Sequence, residues 1–469
     1  MAFGGGLYTE QNKVLPGAYH KFSSENTNTT VYAERGLVGL ITPTDWSDGE
    51  LTRLVIPALE VEHEGAYVWP RDAVKVLGYS ANVDVPERYT GAADLAKFAP
   101  VFVREVFRHA VGCFIYPLLG SNKAKASCTL CTAKKYGERG NKLALTVTEL
   151  PEKLFTVTTL LDGVAVDEQT VAKYDELVDN DFVAFDKSGT LSATASMALS
   201  GGLAGTVDVA EIELAVERLG SYGVNIVCPM HKLTDTKVLN AVITQNEKYG
   251  HWMQMVGEHT GKLVPTGGSE YLIAPDVAND SINLMLLFPY LAGAEAACEL
   301  RTEIANRSLD SEMLRYLVDK EGMKPPTQEQ LEQGIRAGYM MLHTVGNDWR
   351  VLNDDNTYIK YTPTKDKNFH KNQVVRVLFT MANDRTGIFI NEFANKAGTR
   401  ELDRNAYKMR LVKSAQYFYS IGALAEFDTA DITVEAGAQS DAYYVKAFTR
   451  PNLAVNKVYH DTVVAAFRG

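Results

Sequence analysis

The chain has 469 residues, room for about three domains at roughly 150 residues each. Lys plus Arg total 47 against 58 Asp plus Glu, a formal net charge of −11, and this acidic balance excludes a protein that works by neutralising nucleic-acid phosphates. Hydrophobic residues at 46% and charged residues at 22% exclude a disordered or fibrous chain, and five cysteines, an odd number, imply no disulfide framework and fit a reducing compartment.

Residues 1–30 hold little apolar material: three glycines, then Thr9-Glu10-Gln11-Asn12-Lys13 and Ser23-Ser24-Glu25-Asn26. Such a segment is an arm or a loose tail unless something else holds it. It shows no basic region followed by an apolar core, so synthesis in a cytoplasm is expected. Leu37-Val38-Gly39-Leu40-Ile41-Thr42 reads as a buried strand. Phe98, Val101, Phe102, Val106 and Ala110 recur at helical spacing, and the apolar run Cys113 to Leu119 follows them, an order that suggests an α/β layer with a covered sheet. Between 120 and 200 the period changes. Leu143, Leu145 and Val147 alternate with Ala144, Thr146 and Thr148, and Asp162-Gly163 separates Phe155–Leu161 from Val164–Val166, a strong hairpin signal. This stretch reads as an all-β module with Gly201-Gly202 through Gly205 as its exit hinge. Helix and strand then alternate again. Val209, Ile212, Val216 and Leu219 mark one helix, and Val224–Pro229 is a buried strand. Thr234-Asp235 is set to cap a second helix, with face Val238, Val242 and Gln245, that stops at Gly250. Trp252–Val256 and Tyr271–Ala274 read as strands. Ile282–Cys298 is too short and too interrupted, by Pro289 and Glu295, to span a membrane and reads as a buried helix.

The expected organisation is therefore an amino-terminal arm at 1–30, one discontinuous α/β domain at 31–118 and 202–355, an inserted β domain at 119–201, and a carboxyl-terminal α+β domain at 356–469. Residues 361–469 carry 15 Lys and Arg against 11 Asp and Glu, a charge of +4 that leaves −15 for residues 1–360. The excess gathers in Lys396, Arg400, Arg404, Lys408, Arg410 and Lys413. The spacing predicts a helix capped by Thr399 and stopped by Gly422, with Leu402, Ala406, Met409 and Val412 as its buried face.

No constellation carries chemistry. Cys128-Thr129-Leu130-Cys131 has the spacing of a redox or zinc half-site, but a second pair is missing and a strand would send the two thiols to opposite faces, so they read as small buried hydrophobes. Thr194-Ala195-Ser196-Met197-Ala198 resembles a subtilisin nucleophile segment but lacks the preceding glycine, and His251 and His259 stand in the wrong chain order for a triad. Gly257-Glu258-His259-Thr260-Gly261-Lys262 is one residue short of a phosphate loop and is followed by Leu263. The nine histidines fall in no metal-ligand spacing. No catalytic, cofactor or metal residue is expected.

Several blocks in order resemble contractile phage tail sheath proteins of Gram-positive hosts. They are Met1-Ala2-Phe3-Gly4-Gly5-Gly6, Gln11 to Tyr19, Glu34-Arg35-Gly36-Leu37-Val38-Gly39 with Asp45-Trp46, Ala133 to Asn141, Leu160-Leu161-Asp162-Gly163, Val166 to Val171, Leu177 to Val183, Asn372 to Leu378, and Ala382-Asn383-Asp384. The resemblance implies a non-enzymatic subunit without cofactors that polymerises as a helical sheath around a tail tube and contracts to drive the tube through a cell envelope. It implies a non-catalytic, subtilisin-like layout for the α/β domain, with an inserted β-sandwich and extended terminal arms. The implied partners are further copies of the chain, the tail tube protein, and baseplate and tail terminator proteins, with no direct nucleic-acid contact and no membrane insertion. The implied location is a virion tail or a phage-tail-like particle put together in the bacterial cytoplasm. Val14, Leu15, Ala18 and Tyr19 of the first arm and Val455, Val458, Tyr459, Val463 and Val464 of the last are the expected inter-subunit strand residues. Arg400, Arg404, Lys408 and Lys413 are the expected tube-facing residues. A hydrolase of α/β type, or a receptor-binding or other tail protein, stand as the alternative expectations.

Overall fold

The computed structural model describes residues 4–7, 17–20, 31–32, 35–55, 77–79, 83–91, 94–186, 188–233, 236–258, 268–456 and 458–459. In the amino-terminal arm, β1 (Gly4–Leu7) and β2 (Gly17–His20) pair in parallel, Gly4 opposite Gly17 through Leu7 opposite His20, as a two-stranded sheet of their own.

The body begins with β3 (Leu37–Pro43), buried along nearly its whole length, and β4 (Thr52–Val55). α1 (Leu95–Phe107) turns Phe98, Val101, Phe102 and Val106 inward, and β5 (Gly112–Leu118) is buried at every position.

The chain then leaves for the β-module: β6 (Lys125–Ser127), β7 (Cys131–Tyr136), β8 (Leu143–Leu150), β9 (Leu154–Leu161), β10 (Val164–Val171), β11 (Val183–Phe185) and β12 (Thr194–Ala198). These form two sheets, β10-β9-β8-β12 and β11-β7-β6. Leu143, Leu145, Val147 and Val157 of the first share one core with Ala126, Ala133, Val183 and Phe185 of the second. Alternation along β8 follows from this, because only one face of each sheet meets the other. The β9–β10 hairpin turns at Asp162 and Gly163 with φ of 51° and 80°, the paired positive angles that a two-residue turn needs to match strand twist.

Two features of the attachment differ from the expectation of a glycine hinge. Ser121 pairs with Thr206, Ala124 with Leu203 and Ser127 with Ser200, so the outgoing and returning strands are a ladder and not a free joint. Trp46, from the body, is only 1% exposed and belongs to the module's core, against Phe182. Arg139 of the module in turn donates from its backbone N–H to the Asp45 carbonyl at 3.0 Å, and from Nε to the Gly78 carbonyl at 2.6 Å. Its guanidinium lies 4.3 Å over the Tyr79 ring. Trp46→Ala is expected to destabilise the module by about 3–5 kcal/mol, as for other large buried aromatics. Faster hydrogen exchange confined to residues 125–198 would show it, and exchange unchanged from the unaltered chain would refute it. Because the ladder sets Ser121 beside Thr206, excision of residues 121–200 leaves segment 201–205 free to bridge Gly120 back to Thr206. Such a deletion is expected to stay soluble only when Trp46 is also replaced by Ser.

After the module come α2 (Val209–Gly220), capped by the Asp208 carboxylate on the backbone N–H groups of Ala210 and Glu211, and β13 (Ile226–Pro229). α3 (Lys237–Tyr249) buries Val238, Leu239, Val242 and Gln245 and ends at Gly250 with φ of 70°. The expected cap, Thr234-Asp235, lies outside the described residues. With β14 (Gln254–Val256) and β15 (Leu272–Ile273) these complete a six-stranded sheet of order β15-β14-β13-β3-β5-β4, parallel except for β4. Strands from before and after the module thus form the two halves of one layer, joined where β13 pairs with β3. β16 (Pro275–Asp276) leaves it, and α4 (Phe288–Ala297) is buried on all sides. Helices α1 and α4 cover one face of the sheet, α2 and α3 the other, so its inner strands are apolar on both sides. Gly293 lets α4 meet α1: a Cβ there would stand 2.4 Å from the Val106 carbonyl oxygen. α5 (Glu312–Asp319), α6 (Gln328–Ala337), β17 (Met340–Val345) and β18 (Asp348–Val351) follow, with β17 between β16 and β18.

The last part is α7 (Asn372–Ile388), α8 (Glu401–Ser420), β19 (Leu424–Glu426), β20 (Ile432–Ala436), β21 (Tyr443–Ala447) and β22 (Arg450–Pro451), with β19 paired to β22 and β20 to β21. Gly422 stops α8 as expected, its N–H bonding to the Tyr419 carbonyl while the Ala423 N–H reaches back to Phe418. The other terminus differs. Arg400, not Thr399, is the capping residue, and its side chain makes no cap hydrogen bond.

Candidate functional site

The buried face of α8 is not the expected one. Tyr407, Leu411, Val412, Ala415 and Phe418 are buried, whereas Leu402 is 72% and Met409 57% exposed. Both sets recur at helical spacing, and the partner elements choose between them. Tyr407, Leu411 and Ala415 pack with Ile432 of β20 and Ile388 of α7, and Phe418 packs with Val377 and Met381 of α7. Of the four residues expected to be buried, only Val412 is. Leu402, Ala406 and Met409 make an exposed apolar stripe that runs on to Lys413, and Phe389 and Ile390 stand exposed in the turn after α7. A stripe of this kind, left uncovered among the described residues, marks a contact surface.

The basic residues sit around this stripe in different states. Arg400 pairs with Asp403 at 2.9 Å, and that hydrogen bond holds the Asp403 carboxyl below its usual range. Arg404 donates to the Thr399 carbonyl. Arg410 spans both oxygens of Glu392 at 2.9 Å, pinning α8 to the turn after α7. Lys408 is half-buried and Lys413 exposed.

Of the expected arm residues, Ala18 and Tyr19 lie in β2, while Val14, Leu15, Val463 and Val464 lie outside the described residues. Among the described residues, no strand of the body pairs with β1 or β2. A two-stranded ribbon alone is marginal in water and keeps open edges. At the other end, the chain after β22 is tied across α7 and the body. The Ala454 N–H donates to Gln373 Oε1 at 3.0 Å and Asn456 Nδ2 to Glu303 Oε2 at 2.7 Å. Val455, Val458 and Tyr459 then face solvent, 81%, 66% and 90% exposed, and none of them is in a strand.

A buried polar cluster that sequence reading missed joins α7 to the body. Arg376 of α7 reaches Glu295 of α4 at 2.5 Å and Asp354 at 3.3 Å, all three nearly without exposure. Asn372 Nδ2 donates to Asp354 Oδ1 at 2.9 Å and accepts at Oδ1 from Gln254 Nε2 at 3.1 Å. Arg35 donates to the Ala296 carbonyl at 3.1 Å and to Thr380 Oγ1 at 3.1 Å. Burial and the neighbouring Asp354 carboxylate raise the Glu295 carboxyl well above the normal range. Burial pushes on Asp354 too, but the Arg376 charge and its hydrogen bonds hold it low. Burial and the Arg376 charge bring the Arg35 guanidinium down to about 9. The arrangement is a structural joint, since most of its donors and acceptors are spent on one another, the Nε atoms of Arg35 and Arg376 excepted.

Among the described residues no three or more His, Cys, Asp or Glu side chains converge as metal ligands, and no helix is long and apolar enough to cross a membrane. Thr194–Ala198, the segment resembling a nucleophile loop, is the strand β12.

Comparison with known proteins places these surfaces in context. Residues 120–206 match the phage tail sheath protein β-sandwich domain, and residues 364–465 match the phage tail sheath carboxyl-terminal domain. The chain is 24% identical to the phage-like element PBSX protein XkdK of Bacillus subtilis over 98% of its own length and 99% of the relative's. Its fold superposes on the sheath tail protein of Desulfitobacterium hafniense with a TM-score of 0.73 at 25% identity, covering 93% of this chain and 96% of that one. It superposes on a sheath tail protein of Listeria innocua with a TM-score of 0.69 at 21% identity, over 90% and 93% of the two chains.

Proposed function

The chain is a phage tail sheath protein, a structural component and not an enzyme, and from that premise we propose that it polymerises as a helical sheath around a tail tube and contracts to drive the tube through a host envelope. The observation that carries this reading is the extent of the likeness, 93% of this chain against 96% of a sheath tail protein, with both matched domains in order. The sheath stands in the tail of a virion or a phage-tail-like particle assembled in the host cytoplasm. Its partners are its own copies, the tube protein, and baseplate and terminator proteins. The division of labour follows the boundaries at 1–30, 31–118 with 202–355, 119–201 and 356–469: arms connect neighbours, a subtilisin-like but non-catalytic body fills the wall, the β-module stands outward, and the carboxyl-terminal domain lines the inside. Negative-stain microscopy of the concentrated protein is expected to show rings or tubes. Monodisperse monomers at every concentration would refute polymerisation.

The surface of α8 is the part assigned to the tube. Lys413 extends the exposed Leu402–Met409 stripe, while Arg404 and Lys408, both half-buried, lie further round the helix, so the contact combines apolar burial with weak ion pairs of about 0.2–1 kcal/mol each. Such pairs release readily when the sheath shortens. Arg404→Glu, Lys408→Glu and Lys413→Glu together are expected to uncouple tube from sheath in copurification while sheath tubes still form. Tube recovery unchanged at both low and high salt would overturn the assignment.

A further inference from the structure

The turn between β6 and β7 corrects the expectation that Cys128 and Cys131 point to opposite faces. β6 ends at Ser127 and β7 starts at Cys131, so the two cysteines flank a tight turn, not one strand. The Cys128 N–H donates to the Cys131 carbonyl at 2.9 Å, which closes the turn and brings the two sulfurs to 3.5 Å. The turn is held from outside: the Asp186 N–H donates to the Leu130 carbonyl at 2.9 Å, the Tyr174 hydroxyl donates to the same oxygen, and Thr129 Oγ1 meets the Met197 sulfur at 3.3 Å. The two thiols differ in access. Cys131 is 1% exposed within the module's core, while Cys128 is half-buried and reachable. The remaining cysteines, Cys113, Cys228 and Cys298, are buried.

We infer that Cys128 and Cys131 are a redox-active dithiol of the β-module, which closes to an intramolecular disulfide by exchange with a small-molecule disulfide. The Cys128 thiolate attacks one sulfur of the reagent, forming a mixed disulfide and releasing one reagent thiolate. Cys131 then gives up its proton and attacks the Cys128 sulfur, and the second reagent thiolate leaves. Two cysteine thiols and one reagent disulfide become one protein disulfide and two reagent thiols, so hydrogens and electrons balance. The geometry needs little change, since the sulfurs must close from 3.5 Å to about 2.05 Å, a movement that side-chain rotation supplies. The hydrogen bond from Cys131 also favours the charged form of Cys128 and brings that thiol down to about 6, while the buried Cys131 thiol is pushed up. Cys128 is thereby the attacking group and Cys131 the resolving one.

The test uses the full chain incubated with excess oxidised glutathione near neutral pH, then denatured and alkylated. Free thiols are expected to fall from five to three, with a peptide map that joins Cys128 to Cys131. Cys131→Ser is expected to stop at the first step and retain one glutathione on Cys128, and Cys128→Ser to keep all its thiols. Five thiols surviving in the unaltered chain would overturn the inference. So would a lasting glutathione adduct there without closure, or a Cys128 disulfide between two chains. The unaltered chain decides the question by itself, so loss of folding in either variant leaves it answerable.

Discussion

Removal of residues 1–22 is expected to leave a folded monomer, with the thermal transition of the full chain, that no longer forms tubes at any concentration. The reason lies in what the arm touches. Among the described residues β1 and β2 pair only with each other, so their loss breaks no strand pairing of the body. A two-stranded ribbon has backbone donors and acceptors open on both edges, and a neighbouring chain's strand satisfies them at no cost in side-chain fit. The exposed Val455, Val458 and Tyr459 supply apolar surface at the opposite end of the chain for such a neighbour. Main-chain pairing of this kind survives rotation of the bodies, because the bond pattern sits in the arms and not between rigid faces. Tubes of normal length from the truncated chain, seen by negative stain, would refute the role of the arm. A lowered melting temperature would show instead that the arm belongs to its own subunit's fold.

The second large effect concerns the joint between α7 and the body. Arg376→Met leaves Glu295 and Asp354 buried without the cation that faces both, and is expected to cost about 3–5 kcal/mol of folding stability at neutral pH. A denaturant titration followed by tryptophan fluorescence measures it as a fall in midpoint, and a change below about 1 kcal/mol would refute the assignment. The sign with pH follows from the shifts. Asp354 is held low in the folded chain, so its contribution exists above the unfolded carboxylate range and is lost as pH falls. Glu295 is raised, so its contribution is greatest at low pH and is lost as pH rises through its elevated value. Without Arg376 the Asp354 carboxylate loses the charge that holds it low, so the deficit of the variant should shrink toward pH ~4 as Asp354 takes up a proton. Combining Arg376→Met with Glu295→Gln and Asp354→Asn should recover most of the loss, since neutral amides need no counter-charge.

What could be read from the sequence was whatever its local chemistry decides. Continuous apolar runs at Leu37–Pro43 and Gly112–Leu118 became the inner strands β3 and β5, because a strand covered by helices on both faces has no polar side to show. Asp162-Gly163 became a hairpin turn because its φ values of 51° and 80° suit that pair. The blocks resembling tail sheath proteins were legible for the same reason in sum, as short stretches whose order along the chain needs no knowledge of contacts, and both domain matches agree with them. What only the tertiary structure decided were the choices between locally equal options. α8 has two apolar stripes, and the β20–β21 hairpin with α7 covers Tyr407–Phe418 and leaves Leu402 and Met409 in solvent. Arg376 finds Glu295 across 81 positions, Trp46 fills the core of a module that begins some seventy positions later in the chain, and a turn instead of a strand sets Cys128 beside Cys131. Periodicity constrains residues within a few positions of each other, whereas a buried charge or ring is satisfied by whichever element the fold brings against it.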